Sequence, residues 1–393
     1  MVNSVKTEGK FDFFKAIFLF ALAVWTMSLP FKNAVYQVGF VLFDLVFLSH
    51  LIYFKNFALV REILQSVKFL AFCFVGILIA MIISNSLNTE FLSKKSWEII
   101  ALFPFRYGLV FVGLCYFYRL KFFGEKELKV LVFAGLFLLL ANAVFYIVQN
   151  PQILTKLKDG GITGGLSTRT AFGFFAGLGF VLSLTLVKNY VFKAIFSIIF
   201  LFFVIFSFTR SAWVGCFACL ILFCAFNIKN YKLILSIFVC LVAFALVAYF
   251  GFDSVAERFS DLANARTSGR NIIWAYSLEM ISEHPIFGWG VDTFRNLANS
   301  PVLKNSTFNG THNMILELLL HTGIFGFIIY MSAILSNFWL CIKERKFEIF
   351  IIFAYFFVVM QFDSSVFTSK EALSYLLIFT FLLYSKKIQG RQI

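Results

Sequence analysis

Charged residues are scarce in this chain: they make up 14% of its 393 residues, whereas 61% are hydrophobic and 58 are phenylalanine. A soluble protein of this length could not bury so much apolar surface, because much of its exterior must still contact water. Runs of roughly 16 to 22 nearly uncharged residues recur along the chain, about the length that a helix needs to cross a bilayer. The composition therefore excludes a soluble enzyme and predicts an all-α integral membrane protein.

A cleavage site for a signal peptide is also missing. Lysines precede the first apolar run, as they do in secretory signals, but the run continues to Pro30 without a small-residue cleavage site. We therefore expect this run to be retained as the first membrane span.

The seven cysteines do not form a metal-binding or disulfide pattern. All lie in or beside apolar runs, and although Cys216 and Cys219 have CxxC spacing, no histidine or second pair completes a metal set. Thiols at bilayer depth usually act as small apolar packing residues. We predict neither a disulfide nor a metal ion.

Twelve apolar segments are predicted to form membrane-spanning helices, which places both termini on one side. If the N-terminus is inside, the inner segments carry 20 Lys and Arg residues and the short outer loops carry 8. This bias is typical of cytoplasmic loops, so we expect both termini to be cytoplasmic. The spans are predicted at about 13–30, 34–54, 67–84, 98–118, 128–149, 171–187, 190–208, 211–226, 232–251, 313–340, 347–363 and 371–384.

This topology divides the chain into three parts: spans 1–9 in residues 1–251, a long outer loop in 252–311, and spans 10–12 in 312–393. The net charge of +14 comes largely from short basic loops between spans. We therefore expect contact with membrane lipids and no binding of nucleic acid. The glycine-rich outer segment 159–165 lacks the lysine and the strand-to-helix context of a phosphate-binding loop, and we expect it to be flexible.

The outer loop is predicted to contain a helix of about four turns that starts near Arg270. Ile273, Tyr276 and Met280 recur at helical spacing, Thr267 or Ser268 is a possible cap, and Pro285 ends the pattern. A short amphipathic helix outside the spans is expected to lie on the membrane surface or on top of the bundle.

Arg210 lies between two apolar spans. A charge at mid-span costs about 2.5–3.5 kcal/mol on insertion scales, so this arginine should be solvated or paired. Two interpretations stay open: an interfacial arginine that reaches the headgroups, or a ligand for an anion in a cavity. The same alternatives apply to Arg106, which lies deeper in its span beside a possible kink at Pro104. Arg169, just before the sixth span, is another candidate anion ligand on the outer face, as are Lys94 and Lys95.

Arg270 stands in the first turn of the predicted loop helix, where a cation opposes the helix dipole. That position costs less if the guanidinium and the helix N–H groups share a bound anion. His312 is predicted to open the tenth span. A histidine in the first helical turn is disfavoured as imidazolium, and a neutral imidazole at a water-facing helix start is suited to act as a general base. A capping or interfacial histidine is the alternative.

Glu317 and His321 follow on the same predicted helix with i,i+4 spacing. They could share a hydrogen bond, and two candidate ligands are too few to predict a metal site. His284, which precedes Pro285, is expected to be a structural turn residue.

Four segments in the second half of the chain occur in a distinctive order. They are Phe208-Thr-Arg-Ser-Ala-Trp213, Ser268-Gly-Arg-Asn-Ile-Ile-Trp274, His284-Pro-Ile-Phe-Gly-Trp-Gly290 and Thr311-His-Asn-Met-Ile-Leu-Glu317 with Gly323. In this order they resemble the O-antigen ligase and polymerase family of membrane glycosyltransferases. The resemblance covers about residues 165–340, and the combination is far more specific than any single segment.

The resemblance implies a bacterial inner-membrane enzyme that takes a glycan from undecaprenyl diphosphate on the periplasmic face and passes it to an acceptor hydroxyl. Arg210 and Arg270 match family arginines thought to hold the donor diphosphate, and His312 matches the histidine proposed to activate the acceptor. We add Arg169 and Arg106 to the candidate diphosphate-binding set. The family ligases are considered metal-independent inverting enzymes, so no cofactor is expected.

Within the family, the outer loop of about 60 residues and the short 150–170 segment favour an O-antigen ligase, with lipid A–core as acceptor, over a polysaccharide polymerase with the same donor. A protein O-oligosaccharyltransferase usually has a longer C-terminal extension and ranks lower. A flippase for polyprenyl-linked glycans is the alternative from another class. It should carry charges along both halves of the bundle, whereas the charges here cluster on the outer side, with Arg106 as the deep exception.

Overall fold

The computed structural model describes residues 2–31, 34–152, 161–230, 239, 243, 246–247, 249–263, 269–297, 310–362 and 369–390. Helices make up 84% of this structure, and the described part contains no strand. The predicted all-helical fold class is confirmed.

The α-helices of the described residues are Val2–Ser28 (α1), Ala34–Phe54 (α2), Phe57–Ser66 (α3), Lys68–Leu87 (α4), Lys94–Phe103 (α5), Val110–Arg119 (α6), Glu125–Gln149 (α7), Arg169–Leu186 (α8), Tyr190–Phe206 (α9), Arg210–Phe226 (α10), Asp253–Ala263 (α11), Arg270–Glu283 (α12), Phe294–Leu297 (α13), Met314–Lys343 (α14), Phe347–Val359 (α15) and Lys370–Gln389 (α16). A π-helical segment, Pro104–Leu109, joins α5 to α6.

Seven helical segments in the described part are long and apolar enough to cross a membrane, which supports the prediction of a multi-pass membrane protein. Shorter apolar helices are α9, α10 and α15. The predicted ninth span, 232–251, lies largely outside the described residues, and the total of twelve stays a prediction. The seven segments are Phe11–Phe31, Ala34–Phe54, Lys68–Leu87, Lys94–Arg119, Glu125–Gln149, Arg169–Leu186 and Met314–Lys343.

The chain forms two compact units, the first comprising Met1–Gly135, Trp274–Leu340 and Ser364–Ile393. Its core is rich in aromatic rings from α1, α2 and α6. Phe18 is fully buried and contacts Phe117 with ring centroids 4.0 Å apart, and Phe43 packs edge-on against Phe18 at 5.5 Å. Buried rings supply large contact areas, so these phenylalanines contribute to the core of the first unit.

The second unit comprises Leu136–Ile273 and Cys341–Asp363, and α8 is its most buried helix. The hydroxyl of Tyr355 on α15 donates to the carbonyl of Phe174 on α8 at 2.7 Å, and Gly177 leaves room for the tyrosine ring. Small residues that let helices approach closely are typical of membrane bundles. Cys216 and Cys219 are buried thiols within this packing, and Cys219 contacts the Ile351 carbonyl.

Candidate functional site

Arg169 and Arg210 are the first residues of α8 and α10 in the second unit. Both are partly exposed. The hydroxyl of Thr209, which directly precedes Arg210, donates to the backbone carbonyl of Arg169 at 3.0 Å and is itself buried. This bond joins the two helix starts, so the sequence candidates Arg169 and Arg210 belong to one local structure.

The backbone around this arginine pair is held by further hydrogen bonds. The Ile162 N–H donates to the Phe206 carbonyl at 2.8 Å, and the Asn142 amide donates to the Gly164 carbonyl at the same distance. The Trp213 indole N–H of α10 donates to the Val204 carbonyl of α9 at 2.9 Å, and this bond joins the two helices next to the turn between them. The part of the glycine-rich segment that the structure describes, 161–165, is therefore anchored where we expected flexibility.

Arg270 is the first residue of α12, which has the predicted length and ends at Glu283, directly before His284 and Pro285. The proposed caps, Thr267 and Ser268, lie outside the described residues. Arg270 thus resembles Arg169 and Arg210 in standing at a helix start, where its charge opposes the helix dipole. A bound anion would be stabilised both by such an arginine and by the first N–H groups of its helix.

His312 does not lie in the first helical turn, and that prediction is wrong. The helix α14 begins at Met314, and Asn313 caps it: the Asn313 side-chain oxygen accepts from the N–H groups of Ile315 at 2.9 Å and Leu316 at 3.1 Å. Asparagine is a strong N-terminal capping residue, and with Asn313 as the cap the helix begins after His312. The effect of the helix dipole on His312 is correspondingly weaker, because this effect falls off within the first turn.

His312 instead occupies a tight turn in a left-handed conformation, with φ of +49°. A non-glycine residue in this region carries a cost of about 1–3 kcal/mol, and such residues are frequent at functional sites. Thr311 is fully buried and its hydroxyl donates to the Asn313 carbonyl at 2.9 Å, across His312. The Trp274 indole N–H of α12 donates to the Thr311 carbonyl at 3.1 Å. No sequence pattern predicted that contact.

The helix α14 is interrupted at Gly323, which has non-helical φ and ψ of 61° and −168°. The 284–290 segment pairs with this break through its backbone. Trp289 N–H donates to the Leu320 carbonyl at 2.7 Å and Gly290 N–H to the His321 carbonyl at 3.1 Å. In the other direction, Ile324 N–H donates to Pro285 at 2.9 Å and Phe325 N–H to Ile286 at 3.2 Å. The first half of α14, which follows His312, is thus fixed to the segment that follows α12.

The polar end of α4 contacts the same break, and we did not predict it as part of the site. Ser84 donates to the His321 carbonyl at 2.6 Å, and Asn88 donates to the Gly288 carbonyl at 2.9 Å. Asn85 accepts from the Val291 N–H at 2.8 Å. All three side chains are buried. The available signal was the run Ser84-Asn-Ser-Leu-Asn88, which is unusually polar for the end of an apolar span.

Glu317 and His321 are both buried in the first half of α14, with His321 Nδ1 4.0 Å from Glu317 Oε1. Among the described residues, no three His, Cys, Asp or Glu side chains are grouped as metal ligands. His284 accepts from the Gly288 N–H through its backbone carbonyl at 3.0 Å, and its ring lies 3.9 Å from that of Trp289 at an angle of 48°, so His284 lies in a turn as expected.

Arg106 is buried in the π-helical segment of the first unit, where Pro104 disturbs the helix as predicted. Its guanidinium donates to Gln37 at 3.2 Å and lies 5.2 Å from the centre of the Phe40 ring. Protein groups therefore already contact this arginine. Lys95, another candidate cation, forms an ion pair of 2.8 Å with Asp292.

These features define a multi-pass helical membrane protein with arginines at helix starts and a histidine in a strained turn before a broken helix. Residues 195–331 match the family model described as O-antigen ligase. The match includes Arg210, Arg270 and His312, and it confirms the predicted resemblance to that family. It also supports a membrane glycosyltransferase of the ligase and polymerase type. No curated protein matches the chain.

Proposed function

We propose that the protein is an inverting O-antigen ligase of the bacterial inner membrane. It transfers a glycan from undecaprenyl diphosphate to a hydroxyl of lipid A–core on the periplasmic face. The family match supports the glycosyltransferase class. Donor, acceptor and membrane side come from the resemblance and from the distribution of basic loops.

In the proposed reaction, the acceptor hydroxyl oxygen attacks the anomeric carbon of the donor glycan. The bond from this carbon to the diphosphate oxygen breaks, and undecaprenyl diphosphate leaves with the bonding electrons. His312 accepts the hydroxyl proton, as a general base. Arg210 and Arg270 bind the diphosphate and stabilise the negative charge that develops as it leaves, with Arg169 beside Arg210.

One observation carries this proposal. Arg169 and Arg210 open two helices whose starts are joined by the Thr209 hydrogen bond to the Arg169 carbonyl. The starts of two helices that each begin with an arginine are thereby joined, and arginine side chains together with helix N–H groups are suited to binding a diphosphate. A structural role alone would favour uncharged or acidic residues at these helix starts.

The proposal is tested by transfer in liposomes that contain the purified protein, an undecaprenyl-diphosphate glycan and lipid A–core. We expect His312→Ala to lower the rate by about 10²–10⁴-fold, the usual contribution of a general base. Arg210→Ala should abolish donor use. Arg61→Ala, which removes an exposed arginine of α3, is the matched control and should transfer at the wild-type rate. Wild-type rates in both site variants would refute the mechanism.

Arg106 stays in the proposal as a further donor-binding cation and needs its own test. Because Gln37 and Phe40 already contact its guanidinium, Arg106→Gln should lower thermal stability whatever its role in binding. A raised KM for the donor would assign it to the donor site. An unchanged KM with lowered stability would remove it from the site.

A deletion strain separates ligase from polymerase. Loss of a ligase should leave lipopolysaccharide with bare core and accumulate polymer on undecaprenyl diphosphate. Accumulation of single repeat units would instead identify a polymerase. We further propose that transfer needs no metal, so a chelator should leave the rate of the reconstituted protein unchanged.

The proposed membrane orientation places Arg169 on the periplasmic side and α3 on the cytoplasmic side. A membrane-impermeant maleimide applied to intact spheroplasts should label Ser167→Cys and should fail to label Gln65→Cys until the cells are opened. Both positions are exposed, so access to the reagent is decided by the membrane. The reverse pattern would overturn the orientation.

A further inference from the structure

We propose that Trp274 is a positioning residue for His312, an inference that rests on the proposed catalytic role of His312. The Trp274 indole N–H donates to the Thr311 carbonyl, which is the carbonyl of the peptide bond that leads into His312. Rotation of that peptide would change both the direction of the histidine side chain and the φ angle of +49°. The indole holds the peptide in one orientation.

Trp274 joins the turn to a helix that is distant in sequence. Within the turn, the Thr311 hydroxyl contacts both the carbonyl and the N–H of Asn313, at 2.9 and 3.3 Å. These bonds set the shape of the turn, and the Asn313 cap joins it to α14. The bond from Trp274 ties the turn to α12, a different helix, and orients the peptide that leads into His312.

A general base must be held at a defined distance from the proton that it accepts, and small displacements reduce the rate of the chemical step. Trp274 is half-buried, and its indole N–H points at the turn. Loss of this N–H should let the His312 turn move without removing any group that contacts the diphosphate. The expected effect is on kcat and not on KM.

The test uses Trp274→Phe, which keeps an aromatic ring and removes the donor, in the reconstituted transfer assay. We expect kcat to fall on the order of 10- to 100-fold with KM for donor and acceptor within about twofold of wild type. In a His312→Ala background the same substitution should lower the residual rate by less than about twofold, because it acts through His312. An unchanged kcat, or a full additional loss in the His312→Ala background, would overturn the proposal.

Trp213→Phe is the matched control, since it removes an indole hydrogen bond of 2.9 Å to the Val204 carbonyl. It should lower thermal stability about as much as Trp274→Phe does, and its effect on the rate should multiply with that of His312→Ala. If Trp274→Phe fails to fold, benzothienylalanine at position 274 keeps the shape of the ring and lacks only the N–H. The same expectations and the same refuting outcomes apply to that variant.

A second measurement does not depend on activity. Diethyl pyrocarbonate modifies accessible imidazoles, and mass spectrometry can follow His312 and His284 separately in one sample. Both are partly exposed, whereas His50 and His321 are buried. Trp274→Phe should change the modification rate of His312 several-fold and leave that of His284 unchanged. Equal His312 modification rates in the variant and the wild type would overturn the positioning role. If the wild-type protein transfers no glycan, the proposed function fails, while this comparison still decides whether Trp274 controls the His312 turn.

Discussion

The backbone N–H of Trp289 donates to the carbonyl of Leu320 at 2.7 Å, and this bond joins the turn after α12 to the interruption of α14. Within a membrane-spanning helix, a break leaves N–H and C=O groups that cannot be left unpaired in an apolar surrounding. The 284–290 segment supplies partners in both directions, from Pro285 and Ile286 as acceptors and from Trp289 and Gly290 as donors. The break is therefore a specific part of the fold, because the 284–290 segment pairs with the backbone groups on both sides of it.

Two glycines make that pairing possible, and replacing either should destabilise the protein. A Cβ at Gly288 would stand 2.6 Å from the Leu320 carbonyl oxygen, and one at Gly323 would collide with the carbonyl of Ile286. Both have positive φ, which costs an L-residue about 1–2 kcal/mol before any clash. We expect Gly288→Ala and Gly323→Ala to lower the melting temperature in detergent sharply. Gly251→Ala, where the added Cβ meets nothing within 4 Å, is the control, and equal melting temperatures would contradict the prediction.

The polar end of α4 should contribute to stability through Asn85. Its side-chain oxygen accepts from the buried N–H of Val291 at 2.8 Å. Asn85→Ala leaves this donor unpaired, which should cost about 1–3 kcal/mol of unfolding free energy. Ser86→Ala, at the exposed neighbouring position, should cost much less. Denaturant or thermal unfolding in detergent measures both variants, and similar losses would show that the Asn85 bond is not stabilising.

Apolar runs and helix-ending residues predicted much of the fold. The second span was placed at 34–54 and α2 runs Ala34–Phe54, while Pro285 was correctly expected to end the helix that starts at Arg270. These features are local, because a span is defined by its own apolar residues and a helix end by its own proline.

The pairing of the 284–290 segment with α14 could not be predicted in this way. Its bonds are between backbone groups, which are the same for every sequence, and Gly323 lies in an apolar run that looks like an unbroken span. Trp274 was missed for a similar reason, since its partner is the carbonyl of a residue far along the chain. His312 was misplaced because Asn313 was not recognised as the capping residue of α14.

The ion pair between Lys95 and Asp292 should be weak. Its atoms are 2.8 Å apart, but about half of the lysine side chain is exposed to solvent. Exposed pairs of this kind contribute about 0.2–1 kcal/mol, and salt screens them. A double-mutant cycle with Lys95→Ala and Asp292→Ala should give a coupling energy in that range that shrinks at high salt. Lys94→Ala should show no coupling to Asp292→Ala, and a large coupling insensitive to salt would show that the pair is shielded from solvent.

The Thr209 bond to Arg169 leads to a prediction that separates donor binding from stability. Thr209→Val keeps the shape of this buried side chain and removes the hydroxyl that donates to the Arg169 carbonyl. If the joined helix starts hold the donor diphosphate, KM for the donor should rise about fivefold, equivalent to ~1 kcal/mol, while kcat changes little. Thr170→Val, which removes the exposed hydroxyl bonded to Thr168 in the first turn of α8, should leave KM unchanged.

The variant Thr209→Val should also unfold at a lower temperature than the wild type, since removal of the hydroxyl leaves the Arg169 carbonyl without this donor. Lowered stability by itself is therefore expected under either role of the arginine pair, and only the KM distinguishes them. If Thr209→Val and Thr170→Val have the same donor KM, the junction of α8 and α10 serves packing alone. Arg210 and Arg270 would then have to bind the diphosphate without Arg169.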